Sequence, residues 1–118
     1  VQPAQTVVGP EADREAMSRL FLQHPVKYLY VVDANQRYLG VVPLSALGTA
    51  AAEVRAADLL SQAIAPITAD TSLGEALQRF LEHLGERLPV IESPANPVLL
   101  GVAAKSALLA TYVRLSEV

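Results

Sequence analysis

Cysteine and tryptophan are absent from this 118-residue chain, and aromatic residues make up only 5% of it. Without cysteine there can be no disulfide, no thiolate nucleophile and no cysteine metal site. Nine lysines and arginines face twelve acidic residues, so no basic excess is present for binding nucleic acid. No apolar run approaches the roughly 18 residues that cross a bilayer, and no signal peptide is visible. The composition therefore predicts a soluble segment with no nucleic-acid partner and no direct membrane insertion.

Aliphatic residues are abundant instead. Hydrophobic residues make up 52% of the chain, and most of them are leucine, valine and alanine. This length predicts one compact domain, or two half-domains that share a core, and the apolar excess leaves surface for self-association. Because the chain begins at Val1 and its single methionine is Met17, we expect it to be a piece of a longer protein.

The sequence contains an internal repeat. Upstream of each copy lies an apolar helical stretch, in which Ala16 and Arg19 of the first copy correspond to Ala76 and Arg79 of the second. A repeat of this length predicts two similar supersecondary units and a functional site that occurs as a quasi-twofold pair. The matching segments are residues 30–33, 39–41 and 45–47 in the first copy and 89–92, 100–102 and 106–108 in the second.

Apolar periodicity and turn residues predict the element order β-α-β-β-α in each copy. The first helix is expected to begin at Pro10 and to end at His24, and the helix of the second copy to begin with a capping box at Ser72 and Glu75. The crossover through a helix predicts a parallel strand pair, and the short turn after it an antiparallel hairpin. Because three strands alone expose too much apolar surface, the two sheets are expected to pack together.

The predicted fold is therefore α/β (α+β), with two pseudo-twofold-related β-α-β-β-α units packed through their sheets. The first unit, with an N-terminal linker, is assigned to residues 1–52, and the second unit, with the inter-unit linker, to residues 53–118. A short strand is expected near Val54 in the alanine-rich stretch, followed by a helical turn at residues 58–60.

The repeated unit resembles a cystathionine-β-synthase (CBS) domain, and the two copies together resemble the CBS pair called a Bateman module. The family's unit is a strand, a capped helix with an inner alanine, a Val-Val-Asp strand, and an apolar-Gly-apolar strand leading into a last helix. The resemblance covers nearly the whole chain. Its matches are Ala16, 31–33 and 39–42 in the first copy, 70–73, Ala76, 89–92 and 100–102 in the second, and 57–60 in the linker.

The second copy is more particularly similar to CBS pairs appended to bacterial ClC-type chloride channels and transporters, through residues 75–80, 85–90 and 105–109. The resemblance implies a non-catalytic regulatory and dimerisation module, homodimeric and covalently attached to a membrane transport domain. It further implies a position on the cytoplasmic face of the inner membrane. A stand-alone CBS-pair protein is the alternative to an attached host.

Many CBS pairs bind adenine nucleotides in two clefts. The family's ligand pattern is Gly, two apolar residues, Ser or Thr, two further residues and Asp, in which the hydroxyl meets phosphate and the carboxylate meets the ribose hydroxyls. This chain has Pro43 and Ala46 at those two positions in the first copy, and Ala104 and Ala107 in the second. The clefts are therefore expected to be degenerate, with no cofactor. Sensing of AMP, ATP or S-adenosylmethionine through non-standard contacts is the alternative function.

Other polar residues near these positions could supply the non-standard contacts to a nucleotide. Ser45 and Ser106 each precede a lost carboxylate, and Lys105 or Arg87 could offer charge to a phosphate. Each serine also has a simpler interpretation, as a hydroxyl at a helix N-terminus bonded to the backbone. Tyr30 lies on one strand face and is expected either to line the cleft or to pack in the core. The complete set of candidate cleft positions is Thr6, Tyr30, Pro43, Ser45, Ala46, Thr68, Pro89, Ala104, Lys105 and Ala107.

The sequence predicts neither a metal site nor an enzyme. His24 and His83 end equivalent helices, where an imidazolium is favoured in any case, and no clustered acid accompanies them. Asp33 and Glu92 occupy matching strand ends, where such residues usually bond nearby backbone amides. The chain contains no glycine-rich phosphate loop and no nucleophile with a base at motif spacing.

Overall fold

Each copy of the repeat forms its own three-stranded sheet with helices beside it. The computed structural model describes residues 1–82 and 85–116 and divides into two units. The first unit is Gln5–Ala65, and the second combines Val1–Ala4 with Pro66–Val118. The elements are β1 (Val7–Val8), α1 (Arg14–Gln23), β2 (Tyr28–Val32), β3 (Tyr38–Pro43), α2 (Leu44–Gly48), a 3-10 helix (Ala56–Leu59), β4 (Ile67–Thr68), α3 (Leu73–Leu81), β5 (Arg87–Ile91), β6 (Leu99–Ala104) and α4 (Lys105–Ser116).

The strand pairing is the same in both units. The sheets have the orders β1-β2-β3 and β4-β5-β6, with the first pair parallel and the second antiparallel in each. This confirms the predicted β-α-β-β-α unit, because a helix connects the parallel strands and a short turn connects the antiparallel ones. The ladder is irregular after Val31 in the first unit and after Val90 in the second. The repeat in the sequence thus extends to the details of the strand register.

Capping side chains determine where α1 and α3 begin. Helix α3 begins after Ser72, whose side chain accepts a hydrogen bond from the amide of Glu75, as the capping-box pattern predicts. Helix α1 begins at Arg14 rather than at Pro10. The reason is Asp13, whose carboxylate accepts the amide hydrogen of Ala16 at 2.8 Å and so caps the helix one turn later than proposed.

The core of the first unit lies between its sheet and α1. Met17, on the inner face of α1, is completely buried, as are Leu29 and Val31 on β2. Apolar residues alternate along the buried strand and recur at helical spacing on α1, and both periodicities bring them to this cluster. The cluster also contains Val8, Val42, Leu47 and Ala56.

In the second unit α3 buries Ala76 and Phe80, whereas every residue of α4 (Lys105–Ser116) is at least partly exposed. Large apolar side chains of α4 remain substantially exposed. They are Leu109 at 44%, Tyr112 at 52%, Val113 at 54% and Leu115 at 60%. Within the described part of the chain, no helix is long and apolar enough to cross a membrane.

The linker after α2 belongs to the first unit. The amides of Ala56 and Ala57 donate to the carbonyl oxygens of Ala12 and Pro10 at 2.9 and 2.8 Å. These bonds and the pairing of Ser61 with β3 explain why the boundary lies at Ala65 and Pro66 rather than at residues 52 and 53. The expected strand near Val54 is replaced by a single bridge at Arg55, and the expected helical turn is confirmed as the 3-10 helix.

Candidate functional site

The candidate site of the first unit centres on the corner where β3 leads into α2. Pro43 is the last residue of β3 and precedes the first helical residue, whose amide donates to the carbonyl oxygen of Lys27 at 2.9 Å. Ser45 is exposed and Ala46 half-buried within α2. Pro43 has no backbone N–H, and the side chains of Pro43 and Ala46 are apolar. The positions expected to hold phosphate and ribose therefore offer no polar side chain here.

The equivalent corner of the second unit, between β6 and α4, contains a charge that the sequence analysis missed. The amide of Lys105 donates to the carbonyl oxygen of Glu86 at 2.7 Å. The Glu86 carboxylate then accepts both the amide of Ser106 at 3.0 Å and its hydroxyl at 2.6 Å. Ser106 is thus bonded at a helix N-terminus, as proposed, but its hydroxyl bonds a carboxylate rather than the backbone.

These contacts favour the ionised form of Glu86. The hydrogen bond from the Ser106 hydroxyl, followed by that from the Ser106 amide, lowers the pKa of Glu86 below its ordinary value. A carboxylate is also favoured at this end of a helix by the helix dipole. The amide and hydroxyl of Ser106, which could otherwise meet a phosphate, therefore already bond an anion from the same chain.

The two corners differ in charge. Leu44 bonds Lys27 in the first unit as Lys105 bonds Glu86 in the second, so Lys27 and Glu86 are counterparts. A cation in one unit thus corresponds to an anion in the other. This correspondence is not visible in the repeat alone, because it depends on which carbonyl the first amide of the helix contacts.

The strand register shows which hydroxyl belongs to which site. Val31 and Val90 are equivalent in the repeat, and Val8 pairs with Val31 as Ile67 pairs with Val90, so the counterpart of Thr6 is Ala65 rather than Thr68. Thr6 is 5% exposed, and its carbonyl oxygen accepts the Tyr30 amide at 2.9 Å. The second unit has alanine at that position and therefore lacks the hydroxyl.

Thr68 lies at the opposite end of its sheet from Ala104. Thr68 pairs with Ile91, whereas Ala104 pairs with Arg87 at the start of β5. The Thr68 hydroxyl donates to the Asp70 carboxylate at 2.5 Å and lies 3.0 Å from the Thr71 hydroxyl. These bonds stabilise the loop between β4 and α3. Thr68 lines a concavity of about 370 Å³, and Ala104 is not among the residues that line it.

The remaining candidate positions are mostly packed. Tyr30 is 6% exposed on β2, and Pro89 is completely buried on β5. Ala104 is buried at the end of β6, Lys105 is half-buried as the first residue of α4, and Ala107 is exposed one turn further on. The structure thus gathers Pro43, Ser45 and Ala46 at one corner and Ala104, Lys105 and Ala107 at the other.

Of the two acidic strand ends, Asp33 bonds nearby backbone amides, as proposed, whereas the bond of the Glu92 carboxylate is to a side chain. The Asp33 carboxylate accepts the amides of Asn35 and Arg37 at 2.8 and 3.0 Å, and the bond from the Arg37 amide is the main cause that lowers the pKa of Asp33. Glu92 accepts the side-chain amide of Asn96 at 2.5 Å. In residues 1–82 and 85–116, no group of three or more His, Cys, Asp or Glu side chains is placed to hold a metal ion, and His83 lies outside those residues.

Solved structures share this architecture. The CBS-pair domain of a putative Mg²⁺ transporter from Shewanella oneidensis matches with a TM-score of 0.83 and 24% identity, over 98% of this chain and 67% of that one. A CBS-pair/ACT-domain protein from Thermotoga maritima matches with a TM-score of 0.84 and 20% identity, over 98% and 93%. The chain has the fold of a CBS-domain pair. The sequence itself matches no family model and no curated protein at a significant level.

A third solved structure with this fold is considerably longer than this chain. The cytosolic domain of the Mg²⁺ channel MgtE, in complex with ATP, matches with a TM-score of 0.78 and 23% identity. The match covers 93% of this chain but only 46% of that domain. This chain therefore spans less than half the length of that structure.

Proposed function

We propose that this chain is a non-catalytic regulatory and dimerisation module of a membrane transport protein, on the cytoplasmic side of the membrane. The observation that carries the proposal is the pair of strand-to-helix corners. Both have the CBS backbone course, but Pro43 and Ala46 in one and Ala104 and Ala107 in the other replace the polar residues of the family's nucleotide pattern. A module that keeps this fold without those side chains acts through packing between domains or copies.

For the host we propose a ClC-type chloride channel or transporter. The support is the similarity of residues 75–80, 85–90 and 105–109 to CBS pairs appended to that class. Two neighbours in fold come from Mg²⁺ transport proteins, which supports ion transport as the general setting. Identifying the membrane domain encoded in the same reading frame decides between the two hosts: a Mg²⁺-transporter domain contradicts the ClC assignment.

For dimerisation we propose the exposed apolar surface of α4. Leu109, Tyr112 and Val113 follow one another at helical spacing of three and four residues and therefore share one face. Each is roughly half exposed, which is unusual for three neighbouring large apolar side chains. A second copy of the chain would cover the same face by twofold symmetry.

Replacing Leu109 by glutamate is expected to turn a dimer into a monomer. The wild-type chain should have twice the 12.6 kDa chain mass in light scattering, and Leu109→Glu the mass of one chain. Because an unpaired carboxylate would be buried in the interface, we expect the dissociation constant to rise at least about 100-fold.

Leu22→Glu provides the matched control. Leu22 is 88% exposed on α1, so the same chemical change should leave the molecule dimeric. A wild-type chain that is monomeric at high micromolar concentration contradicts the proposed dimer. A Leu109→Glu variant that stays dimeric while Leu22→Glu dissociates contradicts the assignment to α4.

Adenine-nucleotide sensing is the second candidate, since the MgtE domain of the same fold is a complex with ATP. It would have to use contacts other than the family's hydroxyl and carboxylate, and Lys27 and Lys105, whose backbone groups bond at the two corners, are candidate cations for it. It predicts saturable stabilisation by an adenine nucleotide. The regulatory module with degenerate clefts predicts none.

A further inference from the structure

In each sheet, a separate extended segment pairs with the last strand next to a glycine of that strand. Each such pairing is called a crossing below. In the first unit Gly40 has a φ of 148°, and next to it Val41 and Ser61 exchange two backbone hydrogen bonds of 3.0 and 2.8 Å. In the second unit Gly101 has a φ of 154°, and next to it Val102 and Gln2 exchange two of 2.8 Å. A side chain at either glycine would overlap the crossing carbonyl, so both positions are shaped to receive an extended segment.

The two crossing segments are held very differently. The segment around Ser61 is anchored further by Gln62, which donates to the carbonyl of Leu39 at 2.6 Å, and by Tyr38, whose hydroxyl donates to the carbonyl of Ile64 at 2.7 Å. Ile64 itself is 8% exposed and belongs to the buried core. This crossing is therefore fixed along its length.

Residues Val1–Ala4, in contrast, are held at one point. The hydrogen bonds described between these four residues and the other described residues (5–82 and 85–116) are the two that join Gln2 and Val102. Val1, Gln2 and Pro3 are all exposed. A segment with one pair of backbone bonds and little apolar burial opens far more readily than the sheet it covers.

We propose that Val1–Ala4 form a releasable strap on β6. The docking of this strap is coupled to the first turn of α4. When docked, the strap completes the edge of β6. When released, it leaves the N–H and C=O groups of Val102 unpaired on an exposed strand edge. Because β6 runs directly into α4, a change at Val102 lies three residues from Lys105 and its contact with Glu86. The transmission of strap release from Val102 to the first turn of α4, called the relay below, rests on the proposed regulatory function. The release of the strap itself does not.

Amide hydrogen exchange of the 118-residue chain, followed by NMR, tests the strap directly. The amide of Val102 donates to Gln2, and that of Val41 to Ser61, so each reports the docking of one crossing segment. After correction for intrinsic rates, we expect Val102 to exchange at least ten times faster than Val41 and faster than the amides of β5 in its own sheet. Equal protection of Val102 and the β5 amides would overturn the proposal.

Two variants extend the test to the relay. Gln2→Pro removes the N–H that bonds Val102, and should raise exchange of Val102 about tenfold more and also that of Lys105 and Ser106. Gln2→Ala keeps both backbone bonds and should match the wild type. Unchanged exchange of Lys105 and Ser106 in Gln2→Pro would overturn the relay, and unchanged exchange of Val102 would overturn the strap. These readouts do not depend on whether the chain dimerises, so they fail independently of the proposed function.

Discussion

Replacing Met17 by alanine is expected to lower the free energy of unfolding by about 2–5 kcal/mol. Met17 is completely buried between α1 and the sheet of the first unit, where its neighbours include Leu29 and Val31. Truncation removes buried methylene groups and the sulfur and leaves a cavity, since the surrounding side chains belong to a strand and helix that cannot fully collapse. Urea unfolding followed by circular dichroism measures the change.

Leu22→Ala on the same helix is the matched control for Met17→Ala. Leu22 is 88% exposed, so its truncation should change the free energy of unfolding by no more than about 0.5 kcal/mol. If the two substitutions cost the same, α1 does not present the Met17 face to the sheet, and the fold described for the first unit is wrong.

Replacing Gly40 by alanine is expected to lower the free energy of unfolding by about 2–3 kcal/mol. Its φ of 148° is a conformation that L-residues rarely adopt, and a Cβ would lie 2.6 Å from the carbonyl oxygen of Ser61. That oxygen belongs to the backbone and accepts the bond from Val41, so it can move only by breaking the crossing. Thermal or urea unfolding measures the loss.

Gly74→Ala should have the opposite sign. Gly74 lies in α3, and a Cβ there would meet no atom within 4 Å. Alanine should therefore raise the free energy of unfolding by roughly 0.5–1 kcal/mol, through its higher helix propensity. A Gly40→Ala variant as stable as Gly74→Ala would show that the Ser61 segment does not cross β3 at this glycine.

The sequence predicts the elements well where a period or a cap defines them. β2 and β5 are short β-rich runs enclosed by turn residues, in the predicted element order, and α3 starts where Ser72 caps it. The start of α1 was misplaced because Pro10 and Asp13 both carry a start signal. Only the structure shows that the Asp13 carboxylate receives an amide hydrogen.

The unit boundary could not be predicted because it depends on contacts between distant residues. An alanine-rich segment looks like a linker, yet Ala56 and Ala57 bond the loop before α1, and Gln2 bonds a strand that is distant in sequence. Composition carries no signal for such backbone pairing. The same applies to Gly40 and Gly101, which the repeat marks as equivalent without showing what crosses them.

The candidate site was predicted in part. The apolar replacements at Pro43 and Ala104 are visible in the sequence once the repeat is aligned. The correspondence of Thr6 with Ala65 requires the strand register, and the role of Glu86 requires the position of Ser106 at the first turn of α4. A carboxylate 20 residues before the groups it bonds has no motif, so periodicity could not have found it.

We propose that this chain regulates without an adenine nucleotide, and thermal unfolding with millimolar ATP, ADP, AMP or S-adenosylmethionine tests this proposal most directly. A ligand present at 100 times its dissociation constant stabilises the native state by about 2.7 kcal/mol, which shifts the midpoint by several degrees. We predict no saturable shift with any of the four, because the corners at Pro43 and Ala104 lack polar side chains and Glu86 already occupies the first turn of α4. A saturable upward shift with one of them would contradict the account and make the chain a nucleotide sensor.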